Sequence, residues 1–207
     1  VATHLKFFNA WGSWQNNGLV FDLGSYDPFR FWCTFADTFW HDLSPAQHAL
    51  IRDFMSPRIE AFRGHYASSH WALYNGNNWT PYLAAPALYW AVTFHGHEPD
   101  DRTLGVMHEA LDVMWLHGPM WTDDGTYREG VKMYSVMALQ ASLDVLRLVQ
   151  AALGSEMPQL PWRVIHRMPA YHLGSMAGDG RLVDFGDSHA HRGWSGLVTL
   201  AAMLLPE

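Results

Sequence analysis

The chain has 207 residues, a length that predicts one domain or a large piece of one. Apolar residues make up 49% and charged residues 16%, so the sequence can bury a sizeable core and does not have the composition of a disordered chain. The formal charge of −7 gives no support for binding nucleic acid or an anionic membrane surface. No apolar run reaches the roughly 18–20 residues needed to span a bilayer, and no signal peptide is visible. Cys33 is the only cysteine, which excludes an internal disulfide and a cysteine-based zinc site.

The first two predicted helices form a pair. Residues 29–41 are apolar and aromatic, and they predict a helix. A second helix is predicted over 45–62, because Ser44 suits the N-cap position and Pro45 the first helical position.

Two residues are expected to modify this second helix. Pro57 is expected to kink or split it, because proline removes a helical hydrogen bond. Gly64 is expected to end it. The buried side predicted from the helical spacing consists of Ala49, Leu50, Phe54, Ile59 and Phe62.

A polar loop is predicted over 65–78, and it ends in two asparagines. The next helix is predicted over 81–94, with Thr80 as its N-cap and Pro81 in its first turn. This helix is apolar on nearly all sides, so it is expected to lie at the centre of the fold. Gly96 is expected to close it.

Two further helices complete the predicted helical part. One begins at Asp100 or Asp101 and ends at the Gly-Pro pair 118–119; the other is predicted over 131–153, with Gly154 as its stop. The predicted buried side of the first is Leu104, Met107, Leu111, Met114 and Trp115. That of the second is Val136, Leu139, Leu143, Leu146 and Val149.

The C-terminal part has a different character. Two short strand-like runs, 163–165 and 181–185, flank a turn at 178–180 and predict a short β-hairpin near 163–186. A last apolar segment over 194–205 predicts a helix. The fold class is therefore mainly α, with helical hairpins in series that favour a solenoid or an incomplete (α/α) toroid.

Aromatic residues are abundant, with 11 Trp, 8 Tyr and 11 Phe. Most such rings fill space between helices. The alternative is that several of them line a carbohydrate cleft, since sugar rings have apolar faces that stack on aromatic side chains.

Four motifs in order resemble the heparinase II/III-like polysaccharide lyases. They are the segment 35–47, the pair Asn78-Trp79, the D-G-T-Y-R-E-G turn over 124–130, and the G-D-G and F-G-D-S turns within 178–188. The resemblance covers the chain from about residue 29 onward. It implies an incomplete (α/α) toroid spanning 1–207 as one domain or fragment, without the β-sandwich domain that follows in that family. It also implies a periplasmic or secreted location.

The resemblance implies cleavage of a uronic-acid polysaccharide by β-elimination, so the expected partner is an acidic polysaccharide. Asn78 matches the asparagine that holds the uronate carboxylate. Tyr134 is the candidate acid or base, although the family position is that of Met133 and one residue turns a helix face by about 100°. His189, which follows the F-G-D-S turn, is a further candidate base.

The expected substrate-binding residues surround these catalytic candidates. They are Asn77, Trp79, His70, Tyr127 and Glu129. An asparagine before a helix also suits an N-cap, and Glu129 also suits the first turn of a helix, so both alternatives stay open. The sequence indicates no metal site and no cofactor.

Two other functions remain open at this point. The first is a non-catalytic carbohydrate-binding or structural helical domain. The second is a glycoside hydrolase on an (α/α) toroid, which needs two opposed carboxylic acids, and Asp124 and Glu129 are the candidates.

Overall fold

The computed structural model describes residues 19–130 and 133–154, together with 167, 171, 174 and 175. Within these residues the chain is mainly helical, as predicted, and no helix is both long and apolar enough to cross a bilayer. The described helices are α1 (Tyr26–Thr38), α2 (Pro45–Ala67), α3 (Trp71–Tyr74), α4 (Trp79–His97), α5 (Asp101–His117) and α6 (Met133–Leu153). Short 3-10 turns lie at Leu23–Ser25, Trp40–Asp42 and Gly118–Met120.

The predicted hairpin strands at 163–165 and 181–185 lie outside the described residues, and so does the predicted helix over 194–205. Between the two strand-like runs the described residues Arg167, Tyr171 and Gly174 are helical. The predicted β-hairpin therefore stays a prediction.

The start of α2 confirms the prediction made from its sequence. Ser44 Oγ accepts a hydrogen bond from the Gln47 backbone N–H at 3.3 Å, and Gln47 Oε1 accepts one from the Ser44 N–H at 2.8 Å. This reciprocal pair is a capping box, which satisfies two helix N–H groups that have no partner within the helix. Pro45 occupies the first helical position. Helix α1 begins at Tyr26, three residues earlier than predicted.

The predictions that Pro57 splits α2 and that Gly64 ends it are wrong, because one helix continues through both residues to Ala67, whereas a kink at Pro57 stays a prediction. Beside the proline, Arg58 Nη1 donates to the Phe54 carbonyl at 2.9 Å, which adds a hydrogen bond in the turn that the proline weakens. The helix therefore tolerates Pro57 in its interior.

The buried side of α2 also differs from the prediction. Ala49 and Leu50 are exposed, with Leu50 at 39%. The buried residues are Ile51, Phe54, Met55, Ile59 and Phe62. Residues 49–51 are consecutive apolar residues, so the sequence pattern allows either of two adjacent faces of α2 to be the buried one. The structure buries the face that contains Ile51.

Helix α4 begins at Trp79, two residues earlier than predicted, and it continues past Gly96 to His97. Thr80 is not its N-cap. The Thr80 hydroxyl lies inside the first turn and donates to the Leu73 carbonyl at 3.2 Å, which ties α4 to the short helix α3. The segment predicted as a loop contains the end of α2 and all of α3.

Helix α4 is the central helix, as predicted. It packs against α1, α3, α5 and α6, and 13 of its 19 residues are buried. Ala84, Ala85 and Ala87 have no exposed surface. Such small side chains let neighbouring helices approach α4 closely.

Helix α5 begins as predicted, because Asp100 Oδ1 accepts the Thr103 backbone N–H at 2.6 Å as an N-cap. Its predicted buried side is wrong in part, since Leu104 is 43% and Trp115 51% exposed. The residues buried on α5 are Thr103, Val106, Ala110, Val113, Met114 and His117.

Helix α6 buries the side that the sequence predicts. Each of Val136, Leu139, Leu143, Leu146 and Val149 is buried. The helix ends at Gly154, which has a φ of +59°. Glycine adopts this left-handed conformation without a steric penalty, and it is typical of helix ends.

Helices α2 and α5 lie side by side and run in the same direction. Arg63 Nε donates to Glu109 at 3.1 Å, and Tyr66 donates to Asp112 at 2.7 Å. Both pairs are separated by 46 residues in the sequence, and a constant separation requires parallel helices.

Helices α1 and α4 are related in the same way. Tyr26 and Tyr82 stack at 4.4 Å near the start of each helix, and His97 contacts Asp37 at 2.9 Å near the end of each. Successive hairpins therefore place equivalent helices next to each other, which is the arrangement of helical hairpins in series.

Candidate functional site

The candidate site lies where the start of α4 meets the turn before α6. The Asn78 backbone N–H donates to Glu129 Oε2 at 2.6 Å, although the two residues are 51 positions apart. When the Asn78 side-chain nitrogen faces the same carboxylate, it lies 3.1 and 3.2 Å from the two Glu129 oxygens. One carboxylate thus accepts hydrogen bonds from both the main chain and the side chain of Asn78.

The Asn77 side chain binds the first residue of α4, whereas Asn78, which occupies the N-cap position, makes no capping bond with its side chain. Asn77 Oδ1 accepts the Trp79 backbone N–H at 3.0 Å. The side chain of Asn78 makes no capping hydrogen bond. Of the two alternatives that the sequence left open, the structure shows a side-chain bond to the helix start from Asn77 and none from Asn78, and the ligand role of either residue stays a prediction.

A compact turn over 121–130 positions Glu129. Thr122 N–H donates to the Thr126 carbonyl at 2.9 Å, and Asp124 Oδ1 accepts the Thr126 N–H at 3.1 Å. Gly125 has a φ of +89°, which a residue with a side chain rarely adopts. These bonds close the turn and direct the chain toward α4.

Tyr127 belongs to this turn, and its side chain is buried, at 1% exposure. Burial, and after it the Glu129 carboxylate, raises the pKa of the Tyr127 phenol. A phenol with a raised pKa stays protonated and suits a hydrogen-bond donor rather than a base. Tyr127, predicted to bind substrate, is thus buried, with its ring against Trp121 and His117.

His117 lies next to Tyr127, and the sequence analysis missed it. Its ring centroid is 5.7 Å from that of Tyr127, and its side chain is buried at 1% exposure. Neither ring nitrogen has a hydrogen-bond partner among the described residues. Burial lowers the pKa of His117 to about 3, so the imidazole is neutral. His117 is the last residue of an amphipathic helix, and nothing in the sequence pattern there indicates that its side chain is buried.

Tyr134 lies in the first turn of α6 and is partly buried. It shares a helix face with Met137, three residues later. The Met137 sulfur lies 4.0 Å from the Asn78 side-chain amide. The structure therefore places Tyr134 within about one helical turn of a residue that contacts Asn78.

Three aromatic residues lie beside the Asn pair. Trp79 is 9% exposed and meets the 40% exposed ring of Trp71 at 5.1 Å. His70 is the N-cap of α3, with its Nδ1 accepting the Ala72 N–H at 3.3 Å. The imidazole of His70 also stacks on His65 at 4.2 Å. His70 therefore has a structural role in addition to the predicted substrate contact.

His189 lies outside the described residues. Within the part of the chain that the structure describes, no group of three or more His, Cys, Asp or Glu residues is placed to hold a metal ion. Asn78 itself is 2% exposed, so its amide faces Glu129 rather than open solvent.

A second polar cluster, which no sequence pattern predicted, joins α1 to α6. The Tyr26 hydroxyl donates to the Asp144 carboxylate, and Arg30 Nε lies 3.5 Å from the same carboxylate. Asp144 is 4% and Tyr26 1% exposed. Burial, and after it the Asp144 charge, raises the pKa of Tyr26. Nothing in the periodicity of α6 distinguishes Asp144 from a surface carboxylate.

Comparisons with known proteins leave the chain without an assigned relative, since no family model, no curated protein and no solved structure matches it.

Proposed function

We propose that the chain is a polysaccharide lyase-like protein that cleaves uronic-acid-containing polysaccharide by β-elimination. The observation that supports this best is the contact of Asn78, at the start of α4, with Glu129, in the turn before α6. Tyr134 lies about one helical turn from Met137, which contacts the Asn78 side chain. In this proposal the helical hairpins form part of an incomplete (α/α) toroid. The chain acts in the periplasm or outside the cell.

The reaction requires neutralisation of a carboxylate. The proton removed from the uronate lies next to a carboxylate group, so its loss adds negative charge to a group that is already negative. Hydrogen-bond donors fixed toward that group stabilise the developing charge. A base takes the proton, and an acid protonates the leaving glycosidic oxygen.

Asn78 and Glu129 have different roles in the proposal. The Asn78 side-chain nitrogen lies 3.1 and 3.2 Å from the two Glu129 oxygens, and in the proposal one of its two N–H groups turns to the uronate carboxylate when substrate binds. Glu129 orients the amide and does not itself contact the sugar. Tyr134 is partly exposed, so it meets the polymer first and serves as the acid or base.

The proposal is tested by incubating the chain with alginate, heparan sulfate and hyaluronan and following the absorbance of the unsaturated sugar end. We expect Tyr134→Phe to abolish the increase. Tyr66→Phe is the matched control, because its hydroxyl donates to Asp112 of α5 and to no residue of the candidate site, and it is expected to keep full activity. No increase on any of the three polymers contradicts the proposal.

A second candidate function is non-catalytic binding of an acidic polysaccharide. The observation that favours it is the 2% exposure of Asn78, whose donors already face Glu129. Retained binding of the polymer with no unsaturated ends, and with Tyr134→Phe equal to the unaltered chain, supports this second function over the first.

The hydrolase alternative has less support from the geometry. Asp124 is fully exposed, and hydrogen bonds from Thr122 and Thr126 lower its pKa to about 2. A glycosidase needs one carboxylic acid whose pKa is raised, so that it is protonated at neutral pH. Release of reducing ends without unsaturated sugars is the result that favours hydrolysis.

A further inference from the structure

We propose that Trp71 is a sugar-stacking subsite of the same polysaccharide site; this inference rests on the proposed function and adds a binding residue that the sequence did not indicate. Among the described residues, most tryptophans are buried, but Trp71 is 40% exposed. It lies directly beside the start of α4, where Asn77 and Asn78 are located. An exposed indole next to polar side chains suits a sugar ring, which has an apolar face and a hydroxyl edge.

The Trp71 ring is held in place before any ligand binds. It meets Trp79 edge to face at 5.1 Å and 61°, and it lies 5.5 Å from the His70 ring. His70 is itself fixed by the bond from the Ala72 N–H and by stacking on His65. A ring that is already ordered loses little side-chain entropy on binding, which favours its use as a binding surface.

Hydrogen-bond donors lie at the edge of this surface. The Asn77 oxygen Oδ1 accepts the Trp79 N–H, and the amide nitrogen of the same side chain carries two further donors. The loop that carries it approaches Met120 closely at Gly76, where the φ of +61° suits glycine. The Asn77 amide is thus positioned to reach the hydroxyls or the carboxylate of a sugar stacked on Trp71.

The test is calorimetric titration of the chain with oligosaccharides prepared from alginate, heparan sulfate and hyaluronan. We expect Trp71→Ala to weaken binding by about tenfold or more, because the stacking surface is lost, and Trp71→Phe to keep most of the affinity. The matched control is Trp115→Ala, since Trp115 is an exposed tryptophan on α5, at 51%, and we expect its loss to leave affinity unchanged.

The same titrated samples are read for unsaturated sugar ends, which separates this inference from the proposed reaction. Binding that depends on Trp71 without any unsaturated ends supports the subsite and contradicts the elimination chemistry. Cleavage by Trp71→Ala with an unchanged KM overturns the subsite and leaves the chemistry in place. Failure of the unaltered chain to bind any of the three oligosaccharides also overturns the subsite, and so does an equal loss of affinity in Trp71→Ala and Trp115→Ala.

Discussion

The Asn78 backbone N–H and the Glu129 carboxylate meet at 2.6 Å, and this bond joins the start of α4 to the turn before α6. The buried Asn78 depends on Glu129 for the partners of both its main-chain and its side-chain nitrogen. The two residues therefore act as one unit, and a change in either affects the stability of the site as well as its chemistry.

Replacement of Glu129 tests this unit. We expect Glu129→Ala to lower the free energy of unfolding by about 1–3 kcal/mol, because it leaves buried donors of Asn78 unpaired. Glu129→Gln keeps one acceptor oxygen and loses less. Urea denaturation measures both values, and an alanine variant as stable as the unaltered chain contradicts the contact.

The two neighbouring asparagines are expected to differ in their effects. Asn77→Ala removes the side-chain oxygen that accepts the first N–H group of α4, and it is expected to lower stability by about 1 kcal/mol, as loss of a capping side chain does. Asn78→Ala is expected to abolish lyase activity under the proposed function, whereas Asn77→Ala weakens only substrate binding. Parallel measurement of unfolding and of unsaturated ends compares the two, and equal activity in both variants would reject the division of roles.

His117 predicts a specific dependence of stability on pH. Its pKa is about 3 in the folded chain and about 6.5 when unfolded, so between these values the unfolded chain binds the extra proton. The free energy of unfolding therefore falls as the pH is lowered from about 6.5 toward 3, by up to about 1.4 kcal/mol per pH unit from this residue alone. His117→Phe removes that part of the slope.

Urea unfolding at pH 7 and at pH 5 measures the slope in both chains. His108→Phe is a suitable control, because His108 is exposed on α5. An identical loss of stability on acidification in the unaltered chain and in His117→Phe contradicts the assigned pKa.

The cluster of Tyr26 and Asp144 is expected to contribute more to stability than an exposed bond of the same chemistry. Tyr26→Phe removes a hydrogen bond to a buried carboxylate and is expected to cost about 1.5–3 kcal/mol. Tyr66→Phe removes the bond to Asp112, which is exposed to water, and is expected to cost less than about 1 kcal/mol. Thermal or urea unfolding compares them, and equal losses would show that burial of Asp144 adds nothing.

Local signals in the sequence predicted the parts of the fold that depend on neighbouring residues. Ser44 and Asp100 cap helices because their short side chains reach the next turn, and Gly154 ends α6 because of its backbone freedom. Thr80 also has a short side chain suited to an N-cap, but the prediction that it caps α4 is wrong. Its hydroxyl found the Leu73 carbonyl, a partner that exists only because α3 forms where a loop was predicted.

In the candidate site, too, some residues could be predicted from the sequence and others could not. The family resemblance assigned Asn78 and Glu129 to one predicted site, and in the structure these two residues are in contact. His117 and Asp144 were missed, because burial of a polar residue depends on helices that pack from elsewhere in the chain. A pattern along one helix carries no information about such neighbours.

The equal spacing of the contacts between α2 and α5 limits where the chain tolerates a change of length. One residue inserted between Arg63 and Tyr66 would rotate every later side chain of α2 by about 100° and separate Tyr66 from Asp112. The same insertion in the connection between α4 and α5, at Pro99, leaves the faces of both helices intact. Natural variation in length, and any engineered insertion, should therefore concentrate in the links between helices, although those links differ in sequence from one hairpin to the next.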